Sequence, residues 1–296
     1  MSLISQIGRK AVSFTHQYTD ETFKYFCRQP KPVNTKNLQI IGLAKDTVSL
    51  TKVPQNFASK IKELSLPGKE SSTLKKLFSP EFKAKRRFDE NGYFVTTVID
   101  KKTQKPVEIF IKEVRDNKFE FYKKVNNEYE FIGRRTFSVN KELGIIEQGF
   151  MVNRYKDEFT GIGIRGHQLA VEKVIKNNLK DIHVDSLPKA ETFHEKCLFR
   201  PLTKKNIAYS EIKEYIDNLS EALNIPIEKV KKLVVLEKAK TGYIMDLEQT
   251  TINLNKIISQ KDPKNIINHP TMGMYSLSGE RLELWKNMVR SQPITL

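Results

Sequence analysis

The stretch from Tyr93 to Val152 constrains the fold most. β-Branched and aromatic residues crowd into Tyr93–Ile99, Val107–Val114, Phe119–Val125, Tyr129–Val139 and Ile145–Val152. Short polar breaks separate them at Lys101–Lys105, Asp116-Asn117, Asn126-Asn127 and Asn140–Gly144. Strand-forming runs with turns this short between them predict an antiparallel meander of about five strands.

A different pattern follows. Thr160-Gly161-Ile162-Gly163-Ile164-Arg165-Gly166 reads as a glycine-bearing turn. A helix is predicted over His167–Asn177, burying Leu169, Ala170, Val174 and Ile175. A short strand, Asp181–Asp185, comes next. Pro188 then opens a second helix over Lys189–Lys196, since proline suits a first helical turn. A strand that leads through glycines into a helix is a general anion-binding device. The backbone approaches closely there, and the first helical N–H groups lack internal partners.

The flanks read differently. Ile4–Phe26 has helical periodicity, Pro30 and Pro32 open a looser stretch, and Lys60–Leu66 predicts a short helix stopped by Pro67-Gly68. Residues 205–296 read as mainly helical, with helices over Tyr209–Leu223, Glu228–Glu237 and Leu247–Ser259. Trp285, with Leu282, Leu284 and Met288, predicts a last helix docked on the main domain. The expected division is a basic, partly disordered N-terminal extension (1–90), a central domain (91–204) and a helical C-terminal region (205–296). The fold class is α+β, a central mixed sheet made of the meander followed by β-α-β-α.

Charge bears on partners. The net charge is +16, and residues 1–90 hold 17 basic against 8 acidic residues. Such an excess attracts polyanions: nucleic acid, an anionic surface or a phosphorylated cofactor. A merely solvated surface is the alternative. Lys83-Ala84-Lys85-Arg86-Arg87-Phe88 is a candidate nucleic-acid contact, or else a linker. Two cysteines, Cys27 and Cys197, exclude a disulfide framework and fit no zinc spacing. The first residues lack a continuous apolar run, and no run approaches the ~20 residues that span a bilayer. A cytoplasmic protein without a membrane partner is expected.

From Gly144 to Pro201 the chain resembles the core of the GNAT acetyltransferase family. Gly161 and Gly163 match the first two positions of that family's phosphate loop, with Phe159 before them and Leu169 at the helix start. Ala190, Phe193, Glu195, Lys196 and Phe199 match its closing helix segment. The resemblance departs at four positions. Arg165 stands at the third loop position unless Gly166 takes it by a shift of one. His194 replaces the family's tyrosine, Leu198 its glycine, and Leu187 its asparagine. The two helices that normally follow the family's first strand are missing.

The resemblance implies acetyl-CoA as cosubstrate, with no metal, and attack of an amine on the thioester. Its pyrophosphate would lie on Gly161, Ile162, Gly163, Ile164, Arg165 and Gly166. Backbone N–H groups of Phe150, Met151 and Val152 would polarise the carbonyl. Glu147, on the same strand, is the candidate base acting through water, and His194 the candidate acid for the thiolate. Either residue is alternatively a plain surface group. His194 and Cys197, with His167 and His183 in the neighbourhood, make at most half a metal site. Two functions compete: an acyl-CoA N-acyltransferase acting on an amine of unknown identity, and a degenerate member of the fold that binds CoA, protein or nucleic acid without turnover.

Overall fold

The computed structural model describes residues 57–261, 266–267 and 272–296. The periodic segment Ile4–Phe26, and Cys27, lie outside them.

The meander forms as the sequence predicts. Its strands are β1 (Phe94–Asp100), β2 (Pro106–Arg115), β3 (Lys118–Val125), β4 (Glu128–Asn140) and β5 (Ile145–Asn153), each antiparallel to the next. Asparagine supplies the turns: Asn117, Asn126 and Asn127 all have positive φ, which asparagine tolerates better than most residues. One face of the meander carries Ile109, Ile111, Phe119, Phe121, Ile132 and Ile146 into the core.

After β5 the chain makes β6 (Phe159–Thr160), which pairs with β1 at the far edge of the sheet. Helix α3 (Ile162–Asn177) then crosses back to β7 (Asp181–Asp185), which lies parallel to β5. The helix starts five residues before the predicted His167. Gly161 caps it at φ +108, and Ile162 and Ile164 are drawn into the core. Sequence periodicity missed this first turn because the helix is buried on nearly all sides, and its stripe carries no polar edge. Asn178 ends it in the left-handed region, its N–H bonding back to Val174 and Ile175.

Residues 57–90 are not a loose extension. Helix α1 (Phe57–Leu64) stops before Pro67-Gly68 as expected, and α2 (Ser72–Leu77) is capped by Ser71, whose hydroxyl accepts from Leu74 N at 3.0 Å. Ile61, Leu74, Leu77, Phe78 and Phe82 all enter the main core. Helix α2 is too short to show a period in the sequence, and tertiary burial fixes it.

The C-terminal region departs most from expectation. After α4 (Glu191–Lys196) and β8 (Arg200–Pro201), the described residues between 202 and 273 leave the sheet and build a second core. Its own sheet has the order β10 (Val235–Ala239), β11 (Gly242–Asp246), β9 (Lys204–Ala208). Three helices pack on it: α5 (Ile212–Leu223), α6 (Ile227–Leu233) and α7 (Leu247–Lys261). The chain then returns as β12 (Met274–Leu277), which sits between β7 and β8, and as α8 (Gly279–Ser291), which packs on α3. The main sheet thus runs β6-β1-β2-β3-β4-β5-β7-β12-β8 among the described residues. A division at 205 fails because β12 is buried on both faces and shows no alternation that would mark it as a strand. Trp285 does dock on the main core: its indole N–H donates to Cys197 O at 2.8 Å.

Candidate functional site

Strands β5 and β7 pair only from Ile145 to Gln148 against Asp181 to Val184. Strand β5 runs on to Asn153, whereas β7 ends at Asp185 and the chain turns away through Pro188–Ala190 into α4. The two parallel strands therefore splay. A register slip helps: Arg135 opposes Met151, but Phe137 opposes Gln148, leaving an extra residue on β5 at Gly149-Phe150. Bulges of this kind bend a strand and end its pairing. Gly149 permits the bend, since a Cβ there would lie 2.5 Å from Thr136 Oγ1.

On the face away from α3, the splay opens into a cleft of about 340 Å³. Thr136, Ser138, Glu147, Gly149, His183, Asp185 and Lys205 line it. Glu147 and His183 are register partners on β5 and β7, so their side chains stand side by side. Lys205 reaches in from β9 of the insertion, its Nζ 3.6 Å from Glu147 Oε1 and 5.2 Å from the centre of the Tyr215 ring. Burial alone would lower the Lys205 pKa, but Asp185, Tyr215 and Glu147 raise it above the ordinary value and keep it charged. Burial lowers the His183 pKa, leaving a neutral imidazole at pH 7 whose buried Nδ1 has no hydrogen-bond partner among the described residues.

Behind the strands, on the α3 side, lies a buried polar cluster. His167 of α3 shares a 2.8 Å hydrogen bond between Nδ1 and Gln148 Oε1, and its ring stacks on Phe193 at 5.2 Å. His194 of α4 is 5.3 Å from His167, ring to ring. Burial, with Arg135 adding repulsion, pulls the His194 pKa down to about 4, so it is neutral at pH 7. Arg135 is buried on β4 and donates through Nη1 to Gly149 O at 3.2 Å.

The expected phosphate loop is built differently. Gly161 and Gly163 sit at the start of α3, half-buried, under two apolar side chains. A Cβ on Gly161 would lie 2.6 Å from Leu77 Cδ1, and one on Gly163 2.8 Å from Phe193 Cζ. Ile162 and Ile164 point into the core. Arg165 is not available to a phosphate. Its guanidinium is buried and donates to Thr97 O, Leu77 O and Gln168 Oε1, tying α3 to β1 and α2. Gly166 lies against Met151 and Arg135. Phe150, Met151 and Val152 follow the bulge on the splayed part of β5.

The structure thus gathers Glu147, Phe150–Val152, Gly166 and His194 around the splay and leaves Arg165 out. It adds His183, Asp185, Lys205 and Arg135. The alternation of β7 put His183 and Asp185 on one face, a signal present in the sequence. Lys205 has none, because β9 is five residues long and carries no alternation that marks it as a strand. Among the described residues no three His, Cys, Asp or Glu side chains gather as metal ligands, and no helix is long and apolar enough to cross a membrane.

No family model matches this chain, and no curated protein does. Among solved structures it is similar to Tetrahymena GCN5, at 14% identity and a TM-score of 0.26, over 44% of this chain and 68% of that one. What the site can do is decided by the chain's own residues and geometry.

Proposed function

We propose that the chain is a GNAT-like N-acyltransferase that uses an acyl-CoA and passes the acyl group through the β5–β7 splay to an amine in the Glu147–His183 cleft. The observation that carries this reading is the splay itself. A meander, a parallel β5-α3-β7 crossover and a bulged β5 draw neighbouring strands apart where the resembling family reacts, and a polar cleft opens at that point.

The chemistry follows from the groups present. Polarisation of the thioester carbonyl falls to backbone N–H groups along Phe150–Val152. The amine nitrogen attacks the carbonyl carbon, the new C–N bond forms and the C–S bond breaks. The amine's proton goes to the neutral imidazole of His183, or through water to Glu147. The departing thiolate takes a proton from water, its ordinary pKa being about 8.5. His194, the candidate acid by position, serves only in the fraction that becomes imidazolium, which burial opposes. Lys205 brings its positive charge 3.6 Å from Glu147, and the insertion supplies a cleft wall in place of the two missing helices.

The test is a thiol-release assay over a panel of amines, run beside calorimetry with acetyl-CoA. Glu147→Gln and His183→Asn are expected to lower turnover, the dominant base by about 10²–10⁴-fold, with little change in thioester affinity. Full turnover in both variants would remove the cleft from the mechanism.

One observation favours a second reading, a binding module without turnover: Leu77 and Phe193 lie over the glycines that would hold the pyrophosphate. Saturable CoA binding by the parent with no thiol released on any amine would establish it. The basic residues 1–90 would then supply contacts to a polyanion, recognised by affinity for RNA or DNA that falls steeply with salt.

A further inference from the structure

Two arginines are buried among the described residues, and they are treated in opposite ways. Arg165 spends its donors on Thr97 O, Leu77 O and Gln168 Oε1. Arg135 has a single hydrogen bond among the described residues, to Gly149 O, and its Nε and Nη2 are buried without a partner. No carboxylate pairs with it among the described residues. Its surroundings repeat the deficit. Gln148 Nε2, His194 Nδ1 and His167 Nε2 are also buried and unpartnered among the described residues. Leaving a buried guanidinium half-satisfied costs stability, and the Phe137 ring, 5.8 Å from it, offsets only part of that cost.

The position of the cluster gives it a use. Arg135 is the register partner of Met151, within the strand segment assigned to the thioester carbonyl. The carbonyl it holds belongs to Gly149, which lines the cleft. A guanidinium presents donors in a planar fork that matches a carboxylate in two parallel hydrogen bonds. Gln148 Nε2 is a further donor, and neutral histidines carry one N–H each. His167 gives its own N–H to Gln148 Oε1, which leaves Arg135, Gln148 Nε2 and His194 as the donors, and no group in the cluster is an anion.

We propose that Arg135, with Gln148 and His194, forms a subsite for a carboxylate, and that the transferred acyl group ends in one. The substrate class is a dicarboxylic monothioester of CoA, succinyl or glutaryl in type. The thioester half of this inference rests on the acyltransferase reading; the carboxylate half does not. During transfer the carboxylate is a spectator that orients the acyl chain.

The experiment has two arms on the full chain. In the first, thermal unfolding is followed with succinate and with succinamide, its uncharged analogue. Succinate is expected to raise Tm and succinamide to leave it unchanged, and Arg135→Met is expected to abolish the difference. Arg135→Met is also expected to raise Tm without ligand, because it removes an uncompensated buried charge; a purely structural arginine would lower it. In the second arm, calorimetry compares succinyl-CoA with butyryl-CoA. The parent is expected to prefer succinyl-CoA by at least about tenfold, as a charge-assisted pair warrants. Arg135→Met should erase the preference, and Arg135→Lys, which keeps the charge without the fork, should retain some of it. Succinate binding through Arg135 with no affinity for either thioester would keep the subsite and overturn the acyltransferase reading. Equal affinity for both thioesters in parent and variant would keep that reading and overturn the subsite. A lower Tm in Arg135→Met with no response of the parent to succinate would overturn the whole inference.

Discussion

His194 shows how far a residue's place in a motif can diverge from its physical state. By sequence it stands where the resembling family puts a proton donor. By structure it is buried beside Arg135, and its pKa falls to about 4 against an ordinary 6.5. Above pH 6.5 neither folded nor unfolded chain protonates it, and the folded state bears no penalty. Below 6.5 the unfolded chain takes up the proton first, so stability is lost progressively as pH falls toward 4. The loss from this residue is on the order of 3 kcal/mol across that window. His167 and His183 are shifted the same way by burial and add to it. Thermal unfolding between pH 7 and pH 4 should therefore show an early acid decline, which His194→Gln makes shallower. An unchanged slope in the variant would place the titration elsewhere. The same depression bears on catalysis: an acid with this pKa raises turnover toward pH 4, whereas His183 or Glu147 as base gives activity that holds at neutral pH.

At the scale of elements, the start of α3 decides access for a cofactor. Phe193 of α4 lies over Gly163 and stacks on His167, so α4 packs directly on the start of α3. If an acyl-CoA reaches the α3 N-terminus, Phe193 must swing aside, and some of the binding energy goes into moving it. Phe193→Ala is thus expected to tighten acetyl-CoA binding while lowering Tm, because a half-buried aromatic is lost. Titration calorimetry on parent and variant measures this, and weaker binding by the variant would mean that the ring belongs to the site. The same elements show what could be read from sequence. The five meander strands, β7 and the end of α3 were legible because alternation, asparagine turns and a helix stop are local signals. The first turn of α3 was not, since Gly161 and Gly163 read equally as a loop or as glycines fitted under Leu77 and Phe193. Glu147 was found from its strand, but its partner His183 needed the parallel register of β5 and β7, a long-range fact. Arg165 was misplaced for a simpler reason: beside glycines an arginine suggests a phosphate, and only the fold shows three internal acceptors around it.

At the scale of the whole molecule, two cores meet at one cleft. Among the described residues the main core draws none from 203–272, and the second core is built from that insertion with Leu202 and Met274 at its root. The insertion leaves and returns at one place, where Leu202 N–H donates to Met274 O at 2.8 Å beside the β8–β12 pair. That geometry is a hairpin in which Thr203 falls opposite Gly273, so residues 204–272 should be replaceable by a two-residue Asn-Gly turn, whose positive φ values suit it. The shortened protein is expected to unfold cooperatively, since its sheet, α3 and α8 remain intact. It is expected to bind an acyl-CoA like the parent, because every residue of the splay and of the α3 N-terminus is retained. Turnover should fall sharply, because Lys205 and Tyr215 leave with the insertion, and Glu147 loses both its cation and its cover. Lys205→Met separates these two losses: it keeps the wall but frees Glu147, and should weaken turnover less than the excision. Denaturant unfolding, calorimetry with acetyl-CoA and thiol release on the same preparations make the test. A shortened chain that no longer folds would show the two cores to be interdependent. One that acylates amines as fast as the parent would show that the acceptor does not use the insertion's wall.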